Sequence, residues 1–218
     1  MAKQDVLLIQ PHSDDILFSA SKFLFERKKF GDVKILTIES GNEKRVNEDK
    51  ELCELFNVNY DNLNFDFEDD SYYHYYQKHK IFLSENCDDI LIDRYGSDFL
   101  DEIKSKLRKY VKKHKAKNYK IVVCLGVGHP MHYFIKECVK DLSDLFYRDF
   151  PHSYKRKAKT DFDNVSEFIL ESEYFDEDNH EVKFEVAYQV YKSQRSLLFF
   201  EKGYIDKKIS EQFYKRKS

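Results

Sequence analysis

Residues 5–15 read Asp-Val-Leu-Leu-Ile-Gln-Pro-His-Ser-Asp-Asp, and the fold follows from how they divide. Asp5–Gln10 is a nearly unbroken apolar run whose length fits a strand buried on both faces. Pro11-His12-Ser13-Asp14-Asp15 then stands at the C-terminal end of that strand. Ile16–Lys29 takes up helical periodicity, with Ile16, Leu17, Ala20, Phe23 and Leu24 inward and Lys28 and Lys29 trailing, and Gly31 stops it.

The alternation continues outward. Val33–Ile38 reads as a second strand, Lys44–Phe56 as a second helix and Leu63–Phe67 as a third strand. Asp98–His114 is a helix with a basic outer face, Lys120–Leu125 another buried strand, and His132–Phe146 another helix. Continuous apolar strands alternating with helices imply an α/β chain: a Rossmann-like, doubly wound, mostly parallel sheet with helices on both faces. After about Phe150 the pattern breaks. A basic loop (Ser153–Lys159) precedes an expected strand at Val165–Leu170, an acidic stretch around Tyr174–His180, and helical segments at Lys183–Tyr191 and Ile205–Lys215. With no repeat and no long linker, we expect a single domain over 1–218, with a core at 1–150 and an extension at 151–218 packed on it.

Composition narrows the function classes. The 218 residues are 41% hydrophobic and 35% charged, yet the net charge is only −3, so no global field favours nucleic acid. Sixteen Tyr and 19 Phe argue against disorder. The four cysteines (Cys53, Cys87, Cys124, Cys138) are scattered with no CxxC pair, which disfavours a disulfide scaffold or a cysteine zinc module. The first residues match neither a signal peptide nor a membrane span, so a cytoplasmic location is expected.

In an open parallel sheet, ligands bind beyond the C-terminal strand ends. After the first strand come His12, Ser13, Asp14 and Asp15; after the second, Glu39-Ser40-Gly41-Asn42; after the third, Asp66, Glu68, Asp69 and Asp70. After Lys120–Leu125 come Gly126-Val127-Gly128-His129-Pro130-Met131-His132. Two of three prolines and two of six glycines lie in the two His-bearing turns, which suggests specially shaped backbone beside a site. Two histidines and a carboxylate with open positions form a common catalytic arrangement for zinc or iron. His12 and Asp15 can face one point above the sheet, and His129 and His132 are neighbours on one helical turn. Asp14 can then act as general base for an activated water, with the remaining His as acid or oxyanion partner. Each piece has a plainer reading: Ser13 or Asp14 can simply cap the helix that starts near Ile16, and a His at a helix start can simply be solvated. The Tyr-rich stretch Ser71–Lys80 is read as structural rather than as a sugar-stacking rim. A Rossmann-like cofactor-binding protein is disfavoured, because no G-x-G-x-x-G follows the first strand.

At these residues the chain resembles the PIG-L/LmbE family of zinc-dependent de-N-acetylases. The family's HPDDE motif is similar to His12-Ser13-Asp14-Asp15-Ile16, and its GHPDH motif to Gly128-His129-Pro130-Met131-His132. An R-x-x-E helix is matched by Arg45 and Glu48, and a late Lys followed by Ser-Gln by Lys183 and Ser193-Gln194. Ser13, Ile16, Met131 and Ser21-Lys22 depart from the family pattern. The resemblance implies zinc (or another divalent metal) held by His12, Asp15 and His132, with Asp14 as general base and His129 as protonating or oxyanion-stabilising group. It further implies Arg45 and Asp66 as substrate contacts, with Asp69 close behind, and a small-molecule N-acetylated sugar or glycoconjugate as substrate. Ser193-Gln194 is expected to be structural. The competing expectation is a non-catalytic sugar- or nucleotide-binding protein on the same fold.

Overall fold

Val6, Leu7, Leu8 and Ile9 have no exposed surface, so the strand they form is sealed on both faces. At about 1.5–3 kcal/mol for each buried side chain, these four contribute roughly 6–12 kcal/mol before conformational entropy is counted. The computed structural model describes residues 2–39, 42–66, 87–127, 129–150, 167–175, 177–195 and 210–217. Seven described strands form one sheet: β1 (Val6–Gln10), β2 (Val33–Glu39), β3 (Asn59–Phe65), β4 (Lys120–Cys124), β5 (Leu145–Tyr147), β6 (Phe168–Tyr174) and β7 (Glu211–Arg216). Their order is β3-β2-β1-β4-β5-β7-β6. The pairs from β3 through β5 are parallel; β7 is antiparallel to both β5 and β6. The expected α/β, mostly parallel doubly wound architecture is present.

The chain runs β1 to β2 to β3 in one direction, then returns to place β4 on the other side of β1. The reversal falls at the C-terminal ends of β1 and β4, and in open sheets of this kind the crevice at such a switch point is where ligands bind. The helices are α1 (Asp15–Ser19), α2 (Lys22–Phe25), α3 (Glu43–Phe56), α4 (Cys87–Tyr95), α5 (Ser97–Lys115), α6 (Pro130–Val139) and α7 (Glu177–Val190), with 3-10 turns at Arg27–Lys29 and Lys192–Gln194. They pack in two groups, α1 and α3 with α7, and α4 and α5 with α6. None of the described helices is long and apolar enough to cross a membrane.

Several expected elements differ. The helix read over Ile16–Lys29 is broken at Ala20 into α1, α2 and a 3-10 turn. The Glu211 carboxylate accepts from the Ser21 and Lys22 backbone N–H groups and the Ser21 hydroxyl, so it caps a second, separate helix start. The helix read over His132–Phe146 ends at Val139, and Leu145–Tyr147 is strand β5. The helix read over Ile205–Lys215 is corrected where it is described: Glu211–Arg216 is β7. Glu211 and Phe213 lie on one buried face of that strand with two-residue spacing, and the charge at 211 belongs to an internal ion pair with buried Lys183 at 3.2 Å. Val165 and Ser166, the loop Ser153–Lys159, the stretch Ser71–Lys80, and Asp69 and Gly128 lie outside the described residues.

Candidate metal centre

The turn after β1 is bent by its own residues. The Asp15 carboxylate accepts from the His12 backbone N–H at 2.9 Å, and the Ile16 N–H donates to Gln10 Oε1 at 3.2 Å. Asp14 sits at φ +85°, the left-handed region, and its side chain makes no capping hydrogen bond. The Ser13 hydroxyl donates instead to Asp49 Oδ2 at 3.1 Å. Neither residue therefore serves as the side-chain cap that the plainer reading offered. A strained residue of this kind costs about 1–3 kcal/mol, which the burial of β1 readily covers.

Across the crevice, β4 leads through Gly126 into α6, with His129 before its first turn and Pro130 at its first position. Gly126 has φ +80°, and a Cβ there would lie 2.9 Å from Tyr133 Cα and 3.1 Å from the His132 carbonyl oxygen. Gly126→Ala is expected to cost at least about 1–2 kcal/mol from the backbone alone, lowering Tm by about 2–8 °C in a thermal melt. An unchanged Tm would mean that the turn relaxes without strain.

Three donor atoms meet between the two turns. His12 Nδ1 is 3.0 Å from His132 Nε2. Asp15 Oδ2 is 3.4 Å from His132 Nε2 and 3.7 Å from His12 Nδ1. Ligand atoms about 2.0–2.2 Å from a tetrahedral zinc are separated by about 3.3–3.6 Å, so the spacing matches a shared ion. The far sides of both rings support this. His132 Nδ1 is 2.6 Å from Asp149 Oδ1, and His12 Nε2 is 3.1 Å from Glu39 Oε2. The Glu39 contact is an ion-pair distance rather than an aligned hydrogen bond, so it acts on the ring through charge. Carboxylates on the outer nitrogens favour protons there and leave the inner nitrogens as lone pairs. Without an ion the 3.0 Å contact is a hydrogen bond in which one ring donates; with protons held on the outer nitrogens, the two inner lone pairs and the Asp15 oxygen can receive a cation in its place. All three residues are buried, His132 completely. Burial pushes the Asp15 carboxyl up, but His132 and His12 outweigh it and hold Asp15 below the usual carboxylate range.

His129 closes one wall. Its ring centroid is 4.8 Å from that of His12 and 4.9 Å from that of His132, and ligating atoms of the three histidines lie within 4.8 Å of one another. A second group of donors, Cys124, His132 and Asp149, is equally close. Its atoms are committed, however, with the Cys124 thiol donating to the His132 carbonyl and Asp149 accepting from the Gly126 and Val127 N–H groups.

The remaining predicted residues divide. Asp14 is half-buried; burial chiefly, and then Asp15, push its carboxyl well above the usual range, against the pull of Arg45 and His12. Arg45 lies 3.7 Å from buried Glu39, which places its guanidinium beside the crevice. Glu48, the acidic residue of the R-x-x-E match, accepts from the Ser193 N–H and hydroxyl, and Ser193 thereby anchors the segment after α7. Asp66 is exposed after β3 and lines an open surface cleft beside Asn42 and Lys50. No described contact joins it to the histidines.

No protein-family model matches the chain, and no curated protein sequence does. Among solved structures it is similar to N,N'-diacetylchitobiose deacetylase from Pyrococcus horikoshii complexed with its inhibitor MPG. The TM-score is 0.47 with 16% identity, covering 97% of this chain and 83% of that one. At that level the chemistry has to come from this chain's own atoms.

Three residues at the centre were not assigned from sequence. Glu39 stands at the end of β2, where strand-end reasoning already pointed, but nothing in the sequence ties it to His12. Asp149 follows β5 by two residues and would have been found by the same reasoning had Leu145–Tyr147 been recognised as a strand. Asp49 is the third. Although on a helix, it is buried, and its carboxylate accepts from Gln10, Ser13, Thr37, Tyr60 and Tyr191.

Burial raises the Asp49 pKa to about 6, against the lowering hydrogen bonds from Thr37, Tyr191, Ser13 and Gln10. The other titratable groups facing it are Asp14, Cys53, Tyr60 and Tyr191. An unfolded Asp titrates near pH 3.9. Below that pH both states are protonated and Asp49 contributes no penalty; as pH rises to about 6 the unfolded chain ionises first and native stability falls. The shift corresponds to roughly 3 kcal/mol. In metal-free protein, the stability of Asp49→Asn relative to wild type should therefore rise by up to about 3 kcal/mol between pH 4 and pH 7, read from denaturant unfolding. A difference that does not change with pH would contradict this.

Proposed function

We propose that the chain is a divalent-metal-dependent amidohydrolase that removes the acetyl group from an N-acetylated amino sugar or sugar conjugate. The observation that carries the hydrolytic part is the meeting of His12 Nδ1, Asp15 Oδ2 and His132 Nε2, with Glu39 and Asp149 behind the two rings. The sugar part rests on the resemblance of the two His-bearing turns to the PIG-L/LmbE motifs.

His12, Asp15 and His132 would hold the ion, zinc being the first candidate from the mixed N/O donor set. Such an ion supplies a Lewis acid for a carbonyl and acidifies water toward neutral pKa. Asp14 takes the proton of the attacking water as its oxygen bonds to the acetyl carbon. Its raised affinity for protons suits this step and the next, in which a proton is returned to the nitrogen as the C–N bond breaks. His129 faces the same space and hydrogen-bonds the developing oxyanion or protonates the amine; a donor of this kind is worth about 3–4 kcal/mol. Arg45, beside Glu39, binds sugar hydroxyls, and Asp66, in the cleft with Asn42 and Lys50, contacts a more distant part of the substrate. The products are acetate and a free amine.

Ile16 and Met131, where the chain departs from the family motifs, are core residues, so their apolar side chains are explained by packing. Acetate release from a panel of N-acetylated sugars tests the proposal. Zinc-loaded chain should release acetate, a chelator should stop it, and added zinc should restore it. Folded, zinc-loaded chain that binds such a sugar but releases no acetate would overturn the proposal in favour of a binding protein.

A further inference from the structure

The Asp49 carboxylate is buried, and its donors are not a random sample of the core. Gln10 and Ser13 flank His12, and both donate to Oδ2, each at 3.1 Å. Thr37 donates to the same oxygen at 2.6 Å and stands two residues before Glu39 on β2, hence on the same face of that strand. Asp49 itself lies one helical turn beyond Arg45 on α3. One carboxylate thus ties the turn that carries two proposed metal ligands, the strand that carries the carboxylate behind His12, and the helix that carries the arginine beside it. Tyr191 approaches from the other side and donates to Oδ1 at 3.0 Å. A buried carboxylate is an expensive core residue, and an apolar group of similar size generally costs less.

We propose that Asp49 is a positioning residue of the metal centre, acting through Ser13 to hold His12 and Asp15 at their spacing. The inference deepens the metal-hydrolase reading and rests on it. Asp49 touches neither ion nor substrate. It fixes the ligand turn from beneath, in the way that partners behind metal ligands set affinity by orientation. Ser13 takes part in this lock because its hydroxyl is directed down to Oδ2 rather than to the start of α1.

The test is the zinc dissociation constant at 25 °C, measured by competition with a chromophoric chelator on chains shown to be folded by circular dichroism. Ser13→Ala should raise it about tenfold, the lower end of the effects seen for groups behind metal ligands. Asp49→Asn should raise it at least as much, and the double variant should be no worse than Asp49→Asn alone, because the two residues act through one bond. Tyr191→Phe, which removes a donor from Oδ1 only, should lower Tm while leaving the constant within about twofold of wild type. A purely structural role predicts that Ser13→Ala and Tyr191→Phe behave alike, with Tm reduced and the constant unmoved; that result overturns the proposal, as does strict additivity in the double variant. If Asp49→Asn does not fold, Ser13→Ala against Tyr191→Phe decides. A folded wild-type chain that takes up no zinc would sink the metal reading and this inference together, whereas wild-type uptake with an unmoved Ser13→Ala constant would sink this inference alone.

Discussion

His132→Ala is expected to abolish both metal and turnover. The residue supplies one of the three converging atoms and has no exposed surface, and its outer nitrogen is tied to Asp149 at 2.6 Å. Removing it leaves His12 and Asp15 as a two-point site with one neutral ligand and one carboxylate. Bound metal should fall from about one per chain to near none. Turnover should fall by roughly 10³-fold or more, since the cation's charge stabilisation is several kcal/mol and each 1.36 kcal/mol is a factor of ten. Asp149 retains the Gly126 and Val127 N–H donors at 2.9 and 3.2 Å, so its carboxylate is not stranded and the chain should still fold. Metal analysis, acetate release and a thermal melt on one preparation separate these effects. Stoichiometric metal with near-normal turnover in His132→Ala would contradict the proposed site.

Asp14→Asn should do something different: keep the metal and lose the reaction. Asp14 holds a left-handed backbone, which Asn adopts about as readily as Asp, and its side chain makes no cap that the change could break. The substitution is therefore confined to the proton-accepting function. Loss of a general base lowers kcat by about 10²–10⁴-fold, with zinc affinity and KM nearly unchanged. Wild-type kcat in this variant would remove Asp14 from the mechanism. Loss of zinc along with activity would instead make it a ligand.

The order in which these elements could be read from sequence has a physical cause. β1, β2 and β4 are buried on both faces, so their residues had to be continuously apolar, and such runs stand out. The topological reversal beside β1 then brought together two His-bearing turns more than a hundred residues apart. β5 was hidden because three residues are too few for a period to show, and because Leu145-Phe146-Tyr147 continues the apolar content of the helix before it. Asp149 was hidden with it. β7 was hidden because Glu211 reads as a solvated charge, while the fold uses it internally as a helix cap and as the partner of Lys183. Asp49 escaped for the same reason, and so did the Ser193 partner of Glu48: a carboxylate on a polar helix reads as surface until the segments that donate to it are assembled around it. Arg45 was legible as a residue near the site, but its partner was not, since Glu48 is near in sequence and Glu39 only in space.

Anomalous diffraction at the zinc edge from zinc-soaked crystals shows whether His12, Asp15 and His132 share one ion. The predicted result is a single strong peak about 2.0–2.2 Å from His12 Nδ1, Asp15 Oδ2 and His132 Nε2. A peak bound by other side chains, or well-ordered rings with no peak between them at saturating zinc, would contradict it.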